Sequence, residues 1–186
     1  MHGSVVVRDV REGDLSALAA MDLRYNASPV LHLDREQGGA EQRFAFSWRE
    51  RPAEPVVYAA YPVERLRDAM PRVDAFFVAE VAGVPAGLLM IVKPAWTDAC
   101  EITDLAVDAR CRRSGAGSAL VERAIAFARE RGMRALWVEP RGDNAAAIEF
   151  YLALGFRLSG FNDRMYSNED DADGRLTLFM YREVGP

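Results

Sequence analysis

The sequence predicts a mixed α/β fold, and three observations carry that prediction. Residues 75–92 (AFFVAEVAGVPAGLLMIV) hold two apolar runs about a turn, the pattern of a hairpin. Residues 116–131 place Leu120, Ala124, Phe127 and Ala128 at the spacing of one helix face. From residue 75 onward the periods alternate in the order β-β-β-α-β-α-β-β, which describes strands and helices sharing a sheet.

Taken in chain order, residues 4–9 (SVVVRD) read as a strand and residues 13–22 as a helix with Asp14 as its N-cap. Between 23 and 74 the pattern weakens. Gly38-Gly39, Pro52, Pro55 and Pro62 interrupt it, and Phe44, Phe46 and Trp48 supply apolar anchors, so short helices and loops forming part of a substrate wall are expected. In the hairpin of 75–92, Gly83-Val84-Pro85 is the expected turn. Residues 101–107 make the next strand, and simple alternation puts Glu101, Thr103, Leu105 and Val107 on one face and Ile102, Asp104 and Ala106 on the other. The helix of 116–131 turns Glu122, Arg123, Arg129 and Glu130 to water and stops at Gly132. RALWVEP (134–140) is a strand. DNAAAIEFYLALG (143–155) is a helix capped by Asp143 or Asn144 and ended by Gly155. FRLSGF and RLTLFMYRE close the sheet around an acidic stretch whose Glu169, Asp170, Asp171 and Asp173 read as a solvated hairpin tip.

The 186 residues suit one domain, taken as 1–186. No run approaches the roughly 18 apolar residues of a membrane span, and the first residues lack the apolar core of a signal peptide, so no membrane is expected as a partner and the cytoplasm is the expected compartment. Cys100 and Cys111 read as two reduced thiols, and no His completes a metal-ligand set with them, so no metal is expected. A net charge of −5 argues against nucleic acid. Lys93 is the only lysine, which leaves no Gly-Lys-Ser/Thr phosphate loop of the nucleotide-hydrolase kind.

A glycine-rich loop lies between the strand of 101–107 and the following helix, with Arg112-x-x-Gly115-x-Gly117 as its spacing. A strand that runs through such a loop into a helix presents several unpaired N–H groups at the positive end of the helix dipole. A diphosphate is the natural ligand of several amides in a row. The dinucleotide-binding spacing is absent, and a tight helix-starting turn with no ligand is the competing reading.

DLAVDARCRRSGAGSAL (104–120) resembles the strand, pyrophosphate loop and helix of the GNAT superfamily of acetyl-CoA-dependent N-acetyltransferases, with their Arg/Gln-x-x-Gly-x-Gly/Ala signature. NAAAIEFYLALGF (144–156) resembles their second signature, and the resemblance covers about residues 75–184. Within the superfamily the likeness is greatest to streptothricin acetyltransferases. It rests on Trp96 ahead of EITDLAVD, on LWVEPRGDN and on the ending GFRLSGFNDRMY…LTLFMY. Glu139-Pro140-Arg141 and Thr103-Asp104 depart from that group, where Glu-Thr-Gln and Glu-Asp usually stand.

The resemblance implies a mostly antiparallel central sheet flanked by helices, with a V-shaped opening between two central strands. It implies acetyl-CoA as co-substrate, held by the backbone of Leu105, Ala106 and Val107, by the loop of Arg112, Arg113, Ser114, Gly115, Ala116, Gly117 and Ser118, and by Asn144, Ala147 and Tyr151. It makes Tyr151 the donor of a proton to the departing thiolate and a backbone N–H near Leu105 the oxyanion donor. Tyr151 as a plain aromatic anchor, and Asn144 as a plain helix cap, are the alternatives. Glu101 or Asp104 accepts the proton of the attacking amine, directly or through water, or else anchors a cationic substrate. Asp104 needs a bulge to share the face of Glu101. An acidic chain favours a cationic small-molecule amine, with Glu101, Asp104, Glu139 and Asp163 lining the pocket and Trp48, Trp96 and Tyr166 as walls or core. A protein N-terminal or lysyl acetyltransferase and a non-catalytic acyl-CoA-binding module are the competing functions. The apolar closing strand makes a homodimer an open expectation.

Overall fold

The structure, a computed structural model, describes residues 4–38, 41–52, 55–57, 61–165 and 176–185. In chain order its elements are β1 (Val5–Asp9), α1 (Leu15–Ala19), β2 (Arg24–Asn26), β3 (Val30–Gly38), β4 (Glu41–Arg49), β5 (Pro55–Val57), α2 (Val63–Ala69), β6 (Ala75–Val81), β7 (Val84–Val92), β8 (Ala99–Val107), α3 (Ala116–Glu130), β9 (Ala135–Val138), α4 (Ala145–Ala153), β10 (Arg157–Asn162) and β11 (Thr177–Glu183). The fold is mixed α/β, as the sequence predicts, with the mostly antiparallel sheet and flanking helices that the resemblance implies. Contacts group the chain into two compact units, one of Met1–Arg24, Val57–Val138 and Arg182–Pro186, the other of Tyr25–Val56 and Glu139–Tyr181.

In the first unit the strand order is β1-β6-β7-β8-β9, antiparallel through β8 and parallel between β8 and β9. One face of this sheet buries Phe76, Val78, Leu88 and Met90 with Leu15 and Leu18 of α1 and Leu66 of α2. α3 buries Leu120, Val121, Ala124, Phe127 and Ala128, the stripe its apolar spacing predicts. Arg123 departs from the expected solvent-facing set. Its guanidinium lies 4.6 Å from the centre of the Phe77 ring, a cation–π contact that half buries it.

Two local expectations in this unit are corrected. The β6–β7 turn is Ala82-Gly83, at φ 52° and 80°, and not Gly83-Val84-Pro85. Positive φ at both central residues matches the twist of the flanking strands, so Val84 and Pro85 are free to start β7. The helix predicted over 13–22 shrinks to α1 behind a 3-10 turn at Glu12–Asp14. Asp14 stands at the N-cap position without capping the helix. Its carboxylate takes both terminal nitrogens of Arg8 at 2.7 Å and the Arg11 N–H at 2.7 Å. The Arg8 hydrogen bonds hold that carboxyl below its ordinary range, against the opposing effect of burial.

The segment from 23 to 74 holds more strand than the short helices and loops expected, with α2 its only helix among the described residues. β3 and β4 pair over nine residues, from Val30↔Arg49 to Gly38↔Glu41. Phe44, Phe46 and Trp48 are spaced two apart, the strand period, and this was the available signal. In the second unit Phe161 meets Phe44 and Phe46 edge-on at 5.1 and 5.4 Å. β10 and β11 pair antiparallel there, with a register shift between Leu158 and Gly160. The acidic stretch with Glu169, Asp170, Asp171 and Asp173 lies outside the described residues, as does Tyr166.

Candidate active site

β8 organises the candidate site residues of the first unit. Val92 pairs with Glu101 and Met90 with Asp104, while Ile91 pairs with Ile102, so Thr103 is an extra residue on β8. Val92 and Met90 are two apart on a regular strand and share a face. Glu101 and Asp104 therefore share that face as well. Strict alternation, which separated them, is overturned by a bulge that adds one residue to the strand. Thr103 is exposed, and Asp104 keeps 13% of its side chain accessible.

β8 meets β9 only from Ala99 to Glu101, opposite Ala135 to Trp137. β9 ends at Val138, ahead of Glu139-Pro140, and Pro140 has no N–H to continue a ladder. Residues 102–107 have no partner on β9 among the described residues, so the two strands part as the resemblance implies. Leu105, Ala106 and Val107 lie on this unpaired stretch, with their other edge bonded to β7.

Two residues absent from the sequence-based set converge on Asp104. The Tyr61 hydroxyl donates to Oδ1 at 2.7 Å, and a terminal nitrogen of Arg65 lies 3.7 Å from the same oxygen. The Arg65 guanidinium also sits 4.8 Å from the centre of the Tyr61 ring. No signal in the sequence links these residues to β8. They stand some forty positions earlier, in the segment whose pattern was weak.

The loop after β8 is pinned at its start by Asp108. Asp108 is buried and accepts from Arg110 N–H at 2.8 Å, Nε at 2.9 Å and a terminal nitrogen at 2.6 Å. Arg110 holds its carboxyl down to about 2. Ala109 N–H donates to the Asp22 carbonyl at 2.8 Å, tying the 3-10 turn Ala109–Cys111 to the body of the unit. Beyond it Arg113 and Gly115 take φ 66° and 91°. Left-handed backbone at a non-glycine residue is costly, and functional loops are where such strain concentrates. Ala116 N–H reaches the Ser114 hydroxyl at 3.4 Å, and no acidic side chain occupies the first turn of α3. Gly117 and Ser118 stand in that turn, where no preceding helical carbonyl exists for their N–H groups. Arg112 and Arg113 are exposed beside it. The arrangement fits a diphosphate.

The second unit holds the other signature. Asn144, not Asp143, caps α4, its side-chain oxygen accepting Ala147 N–H at 3.1 Å. Asp143 is buried and bound to Arg141 at 3.0 and 2.5 Å, with the Tyr25 hydroxyl at 3.1 Å. This gives Arg141 a structural task. Tyr151 is 8% exposed and packs edge-on against Phe156 at 5.3 Å. Asp163 pairs with Arg35 and lies 3.6 Å from Arg164 Nε, and Glu139 is half-buried. Trp48 is 44% exposed here, and Trp96, in the first unit, is 79% exposed, so neither belongs to a core. Cys100 is buried, which pushes its thiol up, and it is not paired with Cys111.

The chain resembles known proteins over most of its length. Residues 42–156 match the profile of the acetyltransferase (GNAT) family. Over 187 aligned residues the chain is 30% identical to a streptothricin acetyltransferase of Streptomyces lavendulae, covering 96% of this chain and 95% of that one. The crystal structure of a nourseothricin acetyltransferase superposes with a TM-score of 0.77 at 27% identity, covering 97% of this chain and 98% of that one. A candidate streptothricin acetyltransferase from Bacillus anthracis, crystallised with acetyl coenzyme A, has the same fold at a TM-score of 0.79 and 21% identity, with coverage of 97% and 99%.

Proposed function

The chain belongs to the acetyltransferase (GNAT) family, and from that premise we propose that it acetylates a primary amine of a small cationic molecule, a streptothricin-like antibiotic foremost. The enzyme is an acetyl-CoA-dependent N-acetyltransferase. We read residues 1–186 as one acetyltransferase domain, because the family match over 42–156 runs through both compact units. The observation that carries the substrate reading is the β8 bulge, which gives a cationic amine two carboxylates, Glu101 and Asp104, on one face. The near full-length likeness to a streptothricin acetyltransferase supports the antibiotic class.

Acetyl-CoA supplies the acetyl group as a thioester. Its diphosphate suits the amides of roughly Arg113 to Ser118, and its pantetheine arm suits the backbone of Leu105, Ala106 and Val107, as an added strand on the edge that β9 leaves open. Asn144 accepts Ala147 N–H on its side-chain oxygen, and its NH₂ group is available as a donor to the coenzyme. An alkyl amine titrates near 10.4 and arrives protonated. Glu101 or Asp104 takes that proton, directly or through a water. The Leu105 N–H is the donor for the developing oxyanion. The Tyr151 hydroxyl passes a proton to the leaving sulfur, whose thiol titrates near 8.5.

Thiol release from acetyl-CoA, measured against streptothricin, aminoglycosides, polyamines, free lysine and short peptides, tests this reading. Saturable turnover of a small cationic amine is expected. Turnover confined to peptides makes the enzyme a protein acetyltransferase, and acetyl-CoA binding with no acceptor turned over makes it an acyl-CoA-binding module.

A further inference from the structure

We propose that Tyr61, seconded by Arg65, is the positioning residue that aims Asp104 at the amine; this rests on the reading of Asp104 as an amine-facing carboxylate. Tyr61 is 1% exposed, packed with Leu15, Leu18, Leu66 and Met90. A buried phenol is apolar in its ring and demands a partner for its hydroxyl. The partner here is Oδ1 of Asp104, at 2.7 Å.

Asp104 reaches its face only through the bulge at Thr103, and it is paired with Met90 directly beside the disrupted ladder. The Tyr61 hydrogen bond fixes its side chain there. Arg65 approaches the same oxygen, at 3.7 Å, from a guanidinium stacked over the Tyr61 ring. Both partners therefore stand on Oδ1. Among the described residues Oδ2 takes no hydrogen bond, so it keeps its acceptor capacity for a primary ammonium or amine. Orienting one oxygen by a fixed donor is how a carboxylate is kept in a productive geometry at no cost during turnover.

The test compares Tyr61→Phe, Asp104→Asn and the double variant by steady-state kinetics across pH with the best small amine. Tyr61→Phe keeps the ring and the Arg65 stack. It is expected to lower kcat/KM for the amine about tenfold and alter its pH profile, with the acetyl-CoA KM unchanged. In the Asp104→Asn background the same change is expected to do nothing further. Arg65→Gln, at a half-exposed position that folding tolerates, is expected to lower kcat/KM for the amine as well, and decides the matter if Tyr61→Phe does not fold. The inference is overturned if Tyr61→Phe turns over like the parent, or if its loss is undiminished beside Asp104→Asn. Wild-type kinetics in Asp104→Asn itself sink the underlying reading of Asp104 instead.

Discussion

Replacing Gly115 by Ala separates the loop's geometry from its packing. A Cβ built on Gly115 meets nothing within 4 Å, so no clash contributes. The backbone stands at φ 91°, a conformation that costs an L residue about 1–2 kcal/mol. If the loop holds its shape, the midpoint of thermal unfolding falls by about 2–8 °C for a chain of this size. If it relaxes, the amides after Gly115 turn away, and each charge-assisted hydrogen bond lost to a phosphate is worth about 1.5–3 kcal/mol. The KM for acetyl-CoA then rises by roughly ten- to a hundredfold. Gly132→Ala is the control, because Gly132 has φ 66° and equally open space but lies past the far end of α3. Both variants are expected to lose stability, and the Gly115 variant alone to lose acetyl-CoA affinity in steady-state kinetics. Equal melting losses with an unchanged acetyl-CoA KM in both refute the loop as the anion site.

Tyr151→Phe keeps the edge-on contact with Phe156, so melting should hold while turnover falls about 10²–10⁴-fold and acetyl-CoA still binds in calorimetry; unchanged turnover removes the hydroxyl from the mechanism. Asp108 titrates at about 2 in the folded protein because of Arg110, against about 3.9 for an unfolded aspartate. A carboxyl lowered on folding stabilises above the unfolded value, and the gain is lost as pH falls from about 4 toward 2. With Arg110 76% exposed the gain is about 1–2 kcal/mol, read as a urea-unfolding difference between parent and Asp108→Asn that is present at neutral pH and shrinks in acid. Ala82→Asn, at φ 52° in the β6–β7 turn, should raise the melting midpoint by about 2–4 °C, since asparagine tolerates the left-handed region that alanine does not.

What could be read from the chain follows from how local each feature is. α3 and α4 were legible because a buried helix face repeats every three or four residues and their ends carry Gly132 and Asn144. The glycine loop was legible for the same reason: its glycines and the helix behind it are contiguous. The bulge at Thr103 was not, because it is a property of β8's register against β7 and no residue type announces it. That single extra residue decides whether Glu101 and Asp104 share a face. Tyr61 was invisible as a partner of Asp104, since the contact joins the approach to α2 with β8 across a long loop of sequence. The β3–β4 hairpin was half legible. Phe44, Phe46 and Trp48 carry the strand period, but Glu41, Gln42 and Arg43 before them and Ser47 between the last two leave no continuous apolar run.

The most direct test of the account is acetyl-CoA-dependent thiol release with streptothricin as acceptor, followed by mass spectrometry of the acceptor. Saturable release, with a single acetyl group on a primary amine of the antibiotic, is the predicted result. Release no faster than with acetyl-CoA alone, together with an unmodified antibiotic and unmodified small amines, contradicts the claim that this enzyme acetylates small cationic molecules.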